Sequence, residues 1–197
     1  DHNSADNLRA VAEAAEGTGL CVVPGMELES SEEVHVLAYF DVLEKAEELG
    51  RAIYPYLPDM PNNSRFLGSQ TVMDKEDNIL REEPKLLVQP LELCIDEMVP
   101  MIRKFGGEAV PAHIDRPSHG IIPLLGFISP YLDIKTAEIS AAGMASGFKE
   151  YPEELMVLTA SDAHDLGNIF EAVHQIELSQ NTPQAFLEAI LRGRQGV

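Results

Sequence analysis

A glutamate and a histidine in neighbouring apolar segments are the first residues of this sequence that could support chemistry. Glu27 follows the apolar run 20–23, just beyond Pro24-Gly25, and His35 lies inside a second apolar run. Two short strands in succession would place the carboxylate and the imidazole side by side. Transition metals accept this pair of donors, so Glu27 and His35 form one candidate edge of a metal site.

Three further segments carry residues of the same kinds: His2 at the start, His113 in the middle, and Asp162 with His164 near the end. Each candidate also has an ordinary structural interpretation. His2 and Asp162 could cap helices, His164 could be the neighbour of such a cap, and His113 could belong to a local ion network. His35 could be a core histidine bonded to a backbone carbonyl, and Glu27 an exposed loop carboxylate.

Taken together, the candidates favour metal-dependent hydrolysis. Four of the six histidines and two carboxylates fall at expected strand ends or just after them. Neutral imidazoles with carboxylates suit zinc, manganese or iron, whereas an all-oxygen set would suit magnesium or calcium. A shared carboxylate can bridge two ions about 3.5–4 Å apart, an arrangement that activates water and steadies a phosphoryl group.

The charge balance limits the expected partners. Fourteen Lys and Arg residues stand against 33 Asp and Glu residues, for a formal net charge of −19. Such a charge repels DNA and anionic membranes, so neither a nucleic acid nor a membrane is expected as a partner. A phosphorylated substrate stays compatible because bound cations reverse the field locally. Acidity also serves solubility, which is its commoner explanation.

The cysteines and the absence of targeting signals indicate the compartment. Cys21 and Cys94 lie far apart in apolar surroundings and form no CxxC pattern, so we predict two reduced core residues. The sequence has no signal peptide and no apolar run near the ~20 residues of a membrane span. We therefore expect a cytoplasmic protein. The sequence does not indicate its oligomeric state.

Helical and strand patterns alternate along the chain. The predicted helices cover 5–17, 42–54, 95–105, 121–127 and 183–191, the first capped by Ser4 or Asp6. The predicted strands cover 20–23, 34–40, 109–114, 134–139, 155–159 and 170–178. Residues 55–90 are predicted as a loop-rich excursion with one helical turn around 67–73. This alternation predicts an α/β sheet or barrel, with a parallel sheet for the unalternating run 20–23.

At the candidate residues the chain resembles the PHP (polymerase and histidinol phosphatase) domain family. The motifs are Asp1-His2-Asn3-Ser4, Pro24-Gly25-Met26-Glu27, Val34-His35-Val36-Leu37, Ala112-His113 and Ser161-Asp162-Ala163-His164, in the family's order. The run 112–118 is most similar to stand-alone bacterial PHP phosphoesterases. The resemblance implies a single domain over 1–197, folded as a distorted (β/α)7 barrel that holds two or three divalent ions.

The resemblance also implies a role for each candidate. Glu27 matches the glutamate that bridges the first and second metals, and His35 and His113 match the other ligands of the second. Asp162 matches a ligand of the first metal, and His164 with His2 matches the third. The family's opening His-x-His motif is absent, so we expect an N-terminally truncated domain that lacks a first strand-helix-strand segment and has incomplete first and third sites.

The family mechanism is attack of a metal-activated hydroxide on a phosphate ester, which implies a small phosphorylated metabolite or nucleotide as substrate. Glu27 and Asp162 would act through the metals. Arg116 and His119 are the candidates for phosphate contact or leaving-group protonation, although a salt bridge of Arg116 with Asp115 or another acid, and a helix cap at His119, are the ordinary alternatives. The other hypotheses are a nuclease-like PHP module and a non-catalytic metal-binding domain.

Overall fold

The computed structural model of the chain describes residues 2–171 and 174–193. In these ranges the helices are α1 (Leu8–Ala14), α2 (Leu43–Ile53), α3 (Ser64–Leu67), α4 (Ile95–Lys104), α5 (Ile121–Leu125), α6 (Ala141–Ser146) and α7 (Pro183–Arg192). The strands are β1 (Gly25–Glu29), β2 (His35–Tyr39), β3 (Thr71–Met73), β4 (Ile79–Glu82), β5 (Glu108–Pro111), β6 (Thr136–Ile139) and β7 (Met156–Thr159).

The described strands form three small sheets. In the first, β2 lies between β1 and β5 and runs antiparallel to both. β3 and β4 form an antiparallel hairpin, and β6 and β7 form a parallel pair. Just beyond β5, the Ile114 N–H donates to the Glu138 carbonyl oxygen at 2.8 Å, so β6 lies next to the end of β5.

The predicted (β/α)7 barrel is wrong for residues 2–171 and 174–193, where the strands form separate small sheets of mixed direction. A barrel of that type needs parallel neighbours joined by crossover helices. The connection between β1 and β2 covers only residues 30–34, which is too short for a crossover. Within it, the Ser30 N–H donates to the Val34 carbonyl oxygen at 2.9 Å, so the chain turns back and the two strands pair antiparallel.

Strand alternation separates the core from the site in the first sheet. Met26 and Leu28 of β1 and Val36 and Ala38 of β2 belong to the buried apolar cluster, with residues of α2 and α4. Because successive side chains point to opposite faces, Glu27 and its neighbours at odd positions project from the other face. The pairing Glu29↔His35 places these two residues on that same face.

Most predicted helices are confirmed within one or two residues: α2, α4, α5 and α7 match the ranges 42–54, 95–105, 121–127 and 183–191. The helix predicted over 5–17 is shorter, since α1 covers only Leu8–Ala14. α7 begins after Thr182, whose hydroxyl accepts a hydrogen bond from the Ala185 N–H at 3.2 Å. The predicted first-turn proline, Pro183, is also in place.

Three local predictions are wrong. The run 20–23 forms no strand, and Leu20 is 74% exposed; the strand starts at Gly25 instead. The helical turn predicted around 67–73 is replaced by α3 at Ser64–Leu67 and strand β3. The described parts of 170–178 form no strand, while residues 172 and 173 lie outside the described ranges.

Two further predictions concern the state of the cysteines and the absence of a membrane span. Cys21 and Cys94 are free, as predicted, but both are only half-buried. None of the helices in the described ranges combines the length and apolar character that a membrane crossing requires.

Candidate metal centre

Glu27 lies at the centre of three histidines. Its Oε1 is 2.8 Å from His35 Nδ1 and 3.2 Å from His113 Nε2. Its Oε2 faces the other way, 3.5 Å from His2 Nε2. The structure therefore brings together four of the residues singled out in the sequence, with different histidines at the two carboxylate oxygens.

The spacing of three of these atoms fits a shared metal ion. His35 Nδ1 and His113 Nε2 are 3.2 Å apart, so with Glu27 Oε1 they form a triangle with sides of 2.8, 3.2 and 3.2 Å. Tetrahedral zinc ligands at about 2.0–2.2 Å from the ion lie roughly 3.3 Å from one another. One cation between the three atoms would satisfy a lone pair on each of them.

The electrostatics favour the metal-binding forms of Glu27 and His2. Burial alone would raise the pKa of Glu27, but hydrogen bonds with His113 and His35 outweigh it and hold that pKa well below its ordinary value. Burial lowers the pKa of His2, and the Glu27 carboxylate only partly opposes this effect. An ionised carboxylate and a neutral imidazole are the forms that bind metals.

His2 is held in place by the backbone around it. Residue 2 pairs with Glu27 as a parallel β-bridge, and the Asn3 N–H donates to the Glu27 carbonyl oxygen at 2.8 Å. The Asn3 side-chain oxygen in turn accepts from the Glu29 N–H at 3.1 Å. The other ring nitrogen of His2, Nδ1, is buried without a hydrogen-bond partner among the described residues, as is Nδ1 of His113.

The loop after β5 positions His113. Asp115 anchors the loop by accepting hydrogen bonds from the Ser140 N–H at 2.7 Å and the Ser140 hydroxyl at 2.5 Å. His113 has a φ of 27° and His119 a φ of 62°, a region that residues with a side chain rarely adopt. Asn3 and Asp162 also have positive φ, so this uncommon backbone conformation occurs at two of the candidate residues, His113 and Asp162, and at His119, a candidate substrate residue.

Asp162 and His164 follow β7, as expected from the sequence, but the two side chains have different surroundings. Asp162 accepts a hydrogen bond from Arg116 Nη1 at 2.5 Å, so the salt bridge of Arg116 with an acid, its ordinary alternative, is observed with Asp162 as the partner. His164 is 74% exposed in its side chain, and its Nδ1 lies 2.9 Å from the Asp162 carbonyl oxygen. In the described ranges His164 forms no ion pair with Glu27, and the ion-pair partners of Asp162 are Arg116 and His164.

A cleft of about 570 Å³ connects these groups, because His2, Glu27, Asp162 and His164 all line it. Its opposite wall comes from the excursion, through residues 69–73 and 87–88. A neighbouring cavity of about 550 Å³ shares Ser4, Asp6, Glu83 and Leu87 with the cleft, but none of the six predicted metal ligands lines it. The cleft is therefore the candidate site for a substrate.

Sequence reasoning missed Glu29, a buried carboxylate beside the centre. It lies on the same face of β1 as Glu27, within ion-pair distance of His35 and His119. One ligand atom from each of these three residues lies within 4.8 Å of the others. The spacing of the two glutamates was the available signal, because residues two apart share a face of a strand.

Glu138 on β6 was also missed, and it makes the stability of the metal-free protein depend on pH. Burial raises the pKa of Glu138 to about 7, although His113 opposes the rise. Between the ordinary value of 4.5 and about 7, the folded chain keeps a proton that the unfolded chain has released. Stability therefore falls as pH rises through this window.

We expect Glu138→Gln to stabilise the metal-free protein at pH 8, because the amide imitates the protonated carboxyl. The expected gain in the free energy of unfolding is about 1–3 kcal/mol at pH 8 and shrinks toward pH 5. Urea unfolding with chelator present measures it, with the exposed Glu82→Gln as control. A gain of equal size at both pH values would contradict the assigned cause.

Comparison of the chain with known protein families, with curated proteins and with solved structures finds no match. The functional argument therefore depends on the residues and their geometry.

Proposed function

We propose that this protein is a metal-dependent phosphoesterase, as the resemblance to the PHP family implies. The observation that carries the proposal is the convergence of Glu27 Oε1, His35 Nδ1 and His113 Nε2 within 3.2 Å of one another. The position of His2 at the other oxygen of Glu27 supports a carboxylate that bridges two ions. Zinc, manganese or iron suits this donor set.

The chain's own residues would divide the work as follows. Glu27, His35 and His113 would hold one divalent ion, while His2 and Asp162, with His164 at the cleft edge, would contribute to further ions. When bound, such ions supply an activated water and positive charge against the phosphoryl group. The negative field of the chain makes this local positive charge necessary for binding a phosphorylated substrate.

Arg116 and His119 are the side chains proposed to contact the substrate. Arg116 forms an ion pair with Asp162, which lines the cleft, and a planar guanidinium can bind two phosphate oxygens at once. His119 has a partly exposed ring stacked on that of His35, with centroids 4.2 Å apart. A histidine in this position can hold the phosphate or give a proton to the leaving oxygen.

We expect Arg116→Gln to lower kcat/KM for a phosphate ester by about 10–100-fold, the range for loss of a hydrogen bond to a charged group. The affinity of the Glu27 centre for metal should stay within about threefold of wild type, since Arg116 does not contact Glu27. Steady-state kinetics and chelator competition measure the two quantities. The control is Arg65→Gln on the exposed α3. Unchanged kinetics would remove Arg116 from the substrate site.

The proposed substrate is a small phosphorylated metabolite or a nucleotide. The cleft of about 570 Å³ has room for a ligand of that size. The net charge of −19 argues against a long nucleic acid as substrate. Two free cysteines fit the proposed cytoplasmic location.

A panel of phosphate esters tests the function directly. The chelated chain should show no hydrolysis, and addition of zinc or manganese should restore turnover on at least one monoester. Phosphodiester and single-stranded DNA substrates in the same panel test the nuclease alternative. Tight metal binding without turnover on any ester would favour the non-catalytic alternative and contradict the proposed activity.

A further inference from the structure

Glu29 places a carboxylate in a buried position beside the proposed metal centre. Its side chain is only 6% exposed, and it projects from the site face of β1, across the strand pair from His35. Among residues 2–171 and 174–193, the cationic or imidazole side chains within ion-pair distance of its carboxylate are His35 and His119. A buried charge is expensive to keep unless other groups pair with it or donate hydrogen bonds to it.

Each oxygen of Glu29 faces one of the two rings. Oε2 lies 3.9 Å from His35 Nε2, and Oε1 lies 3.4 Å from His119 Nδ1. The Nε2 atom of His35 is the nitrogen that the Glu27 centre does not use, because Nδ1 faces Glu27. The carboxylate therefore stands on the far side of the His35 ring from the proposed metal.

The geometry argues against a second metal ion between these three residues. The rings of His35 and His119 stack with centroids 4.2 Å apart and planes only 18° from parallel. Lone pairs on imidazole nitrogens lie in the ring plane, so two stacked rings do not aim them at one point. In addition, His119 Nδ1 lies 3.1 Å from the Glu33 carbonyl oxygen, which can only accept, so this nitrogen carries a proton.

We propose that Glu29 is a positioning residue that orients His35 for metal binding. In the metal-bound protein it would accept a hydrogen bond from the N–H group at His35 Nε2, which leaves the lone pair on Nδ1 directed at Glu27 and His113. Metal-binding histidines commonly give their second N–H to a carboxylate in this way, and this contact fixes the tautomer and the ring orientation. The 3.9 Å separation exceeds a hydrogen bond, and a shift of about 1 Å would close it.

The same carboxylate places His119. With Nδ1–H directed at the Glu33 carbonyl and at Glu29, the free nitrogen of His119 is Nε2, on a ring that is partly exposed. Glu29 thus connects the ligand His35 to the proposed substrate residue His119. The inference rests on the proposed metal centre, but it concerns metal affinity and ring orientation and can be tested without any substrate.

The experiment compares zinc binding by wild type, Glu29→Leu and Glu29→Gln, with Glu48→Gln on the exposed side of α2 as a charge-matched control. Chelator competition gives the zinc dissociation constant. Long-range ¹H–¹⁵N spectra of the zinc-loaded protein show which nitrogen of His35 holds the metal. Thermal unfolding of the chelated protein reveals any purely structural role.

We expect Glu29→Leu to raise the zinc dissociation constant by about 10–100-fold, as for other outer partners of metal-binding histidines. Glu29→Gln should show a smaller loss because its amide oxygen still accepts a hydrogen bond, and Glu48→Gln should show none. In wild type, His35 should bind through Nδ1 and keep its proton on Nε2. The unfolding temperature of chelated Glu29→Leu should not fall.

Four results would overturn the inference. Zinc affinity of Glu29→Leu within twofold of wild type would do so and leave the proposed metal centre intact. Coordination of zinc through His35 Nε2 would do the same. A loss of zinc affinity in both Glu29 variants, in proportion to a fall in the unfolding temperature of the chelated protein, would show a structural role only. Failure of wild type to bind zinc would overturn the metal centre and the inference together.

Discussion

Glu27→Gln should reduce hydrolysis of a phosphate ester by about 1,000-fold, the equivalent of roughly 4 kcal/mol of transition-state stabilisation. Glu27 contacts His35 and His113 through one oxygen and His2 through the other. A neutral amide keeps the shape of the side chain but supplies one weak oxygen ligand in place of a shared anion. Metal content after dialysis should fall with the activity.

Stability provides the internal control for Glu27→Gln. The chelated variant should remain folded, because the apolar face of β1 depends on Met26 and Leu28 and not on Glu27. Glu48→Gln, on the exposed side of α2, removes the same charge from the chain and should keep full activity. Wild-type turnover and metal content in Glu27→Gln would refute the role of Glu27 as the shared ligand.

The second large effect concerns the coupling between Glu27 and His113. His113→Ala should raise the zinc dissociation constant by at least about 100-fold, because it removes a direct ligand and outer partners alone account for 10–100-fold. In the double variant, which combines His113→Ala with Glu27→Gln, the zinc dissociation constant should be no more than about threefold higher than in the single variant that binds zinc less tightly. Ligands of one ion act as a unit, so their losses do not multiply.

The matched control for the cycle is His174→Ala, which changes an exposed histidine outside the cleft. His174→Ala alone should leave zinc affinity unchanged. Added to Glu27→Gln, it should cause no further loss of zinc affinity. If the losses of Glu27→Gln and His113→Ala multiplied, to about 10⁴-fold or more, the two residues would serve independent sites. The triangle of Glu27, His35 and His113 would then not be a metal centre.

Local features were the most predictable from the sequence. The helical periodicity of 95–105 and the cap and proline at 182–183 are local signals, and helices α4 and α7 follow them. The adjacency of Glu27 and His35 was expected from two successive strands, and their contact at 2.8 Å is observed. The roles assigned to these residues by the PHP resemblance remain predictions.

The arrangement of strands was not predictable in the same way. A strand was predicted at 20–23 because that run is apolar. The actual strand covers Gly25–Glu29, and its side chains point alternately toward the core and toward the site. Placed at 25–29, the period of two would have revealed Glu29 beside Glu27. The antiparallel direction of β2 depends on a five-residue turn whose conformation no periodicity reports.

Contacts between distant segments were also outside the reach of sequence reasoning. Arg116 and Asp162 are separated by 46 positions, and their ion pair depends on how the loops after β5 and β7 meet. Glu138 carries a raised pKa because it is buried, which its neighbours in the sequence do not indicate. Both features depend on packing that the chain forms only after folding.

Anomalous diffraction at the zinc edge, from crystals of the chain grown with zinc, tests the metal centre most directly. We expect a strong peak about 2.0–2.2 Å from Glu27 Oε1, His35 Nδ1 and His113 Nε2. A second peak near Glu27 Oε2 and His2 would further support the bridging role. A fully occupied zinc elsewhere, with no peak inside this triangle, would contradict the account.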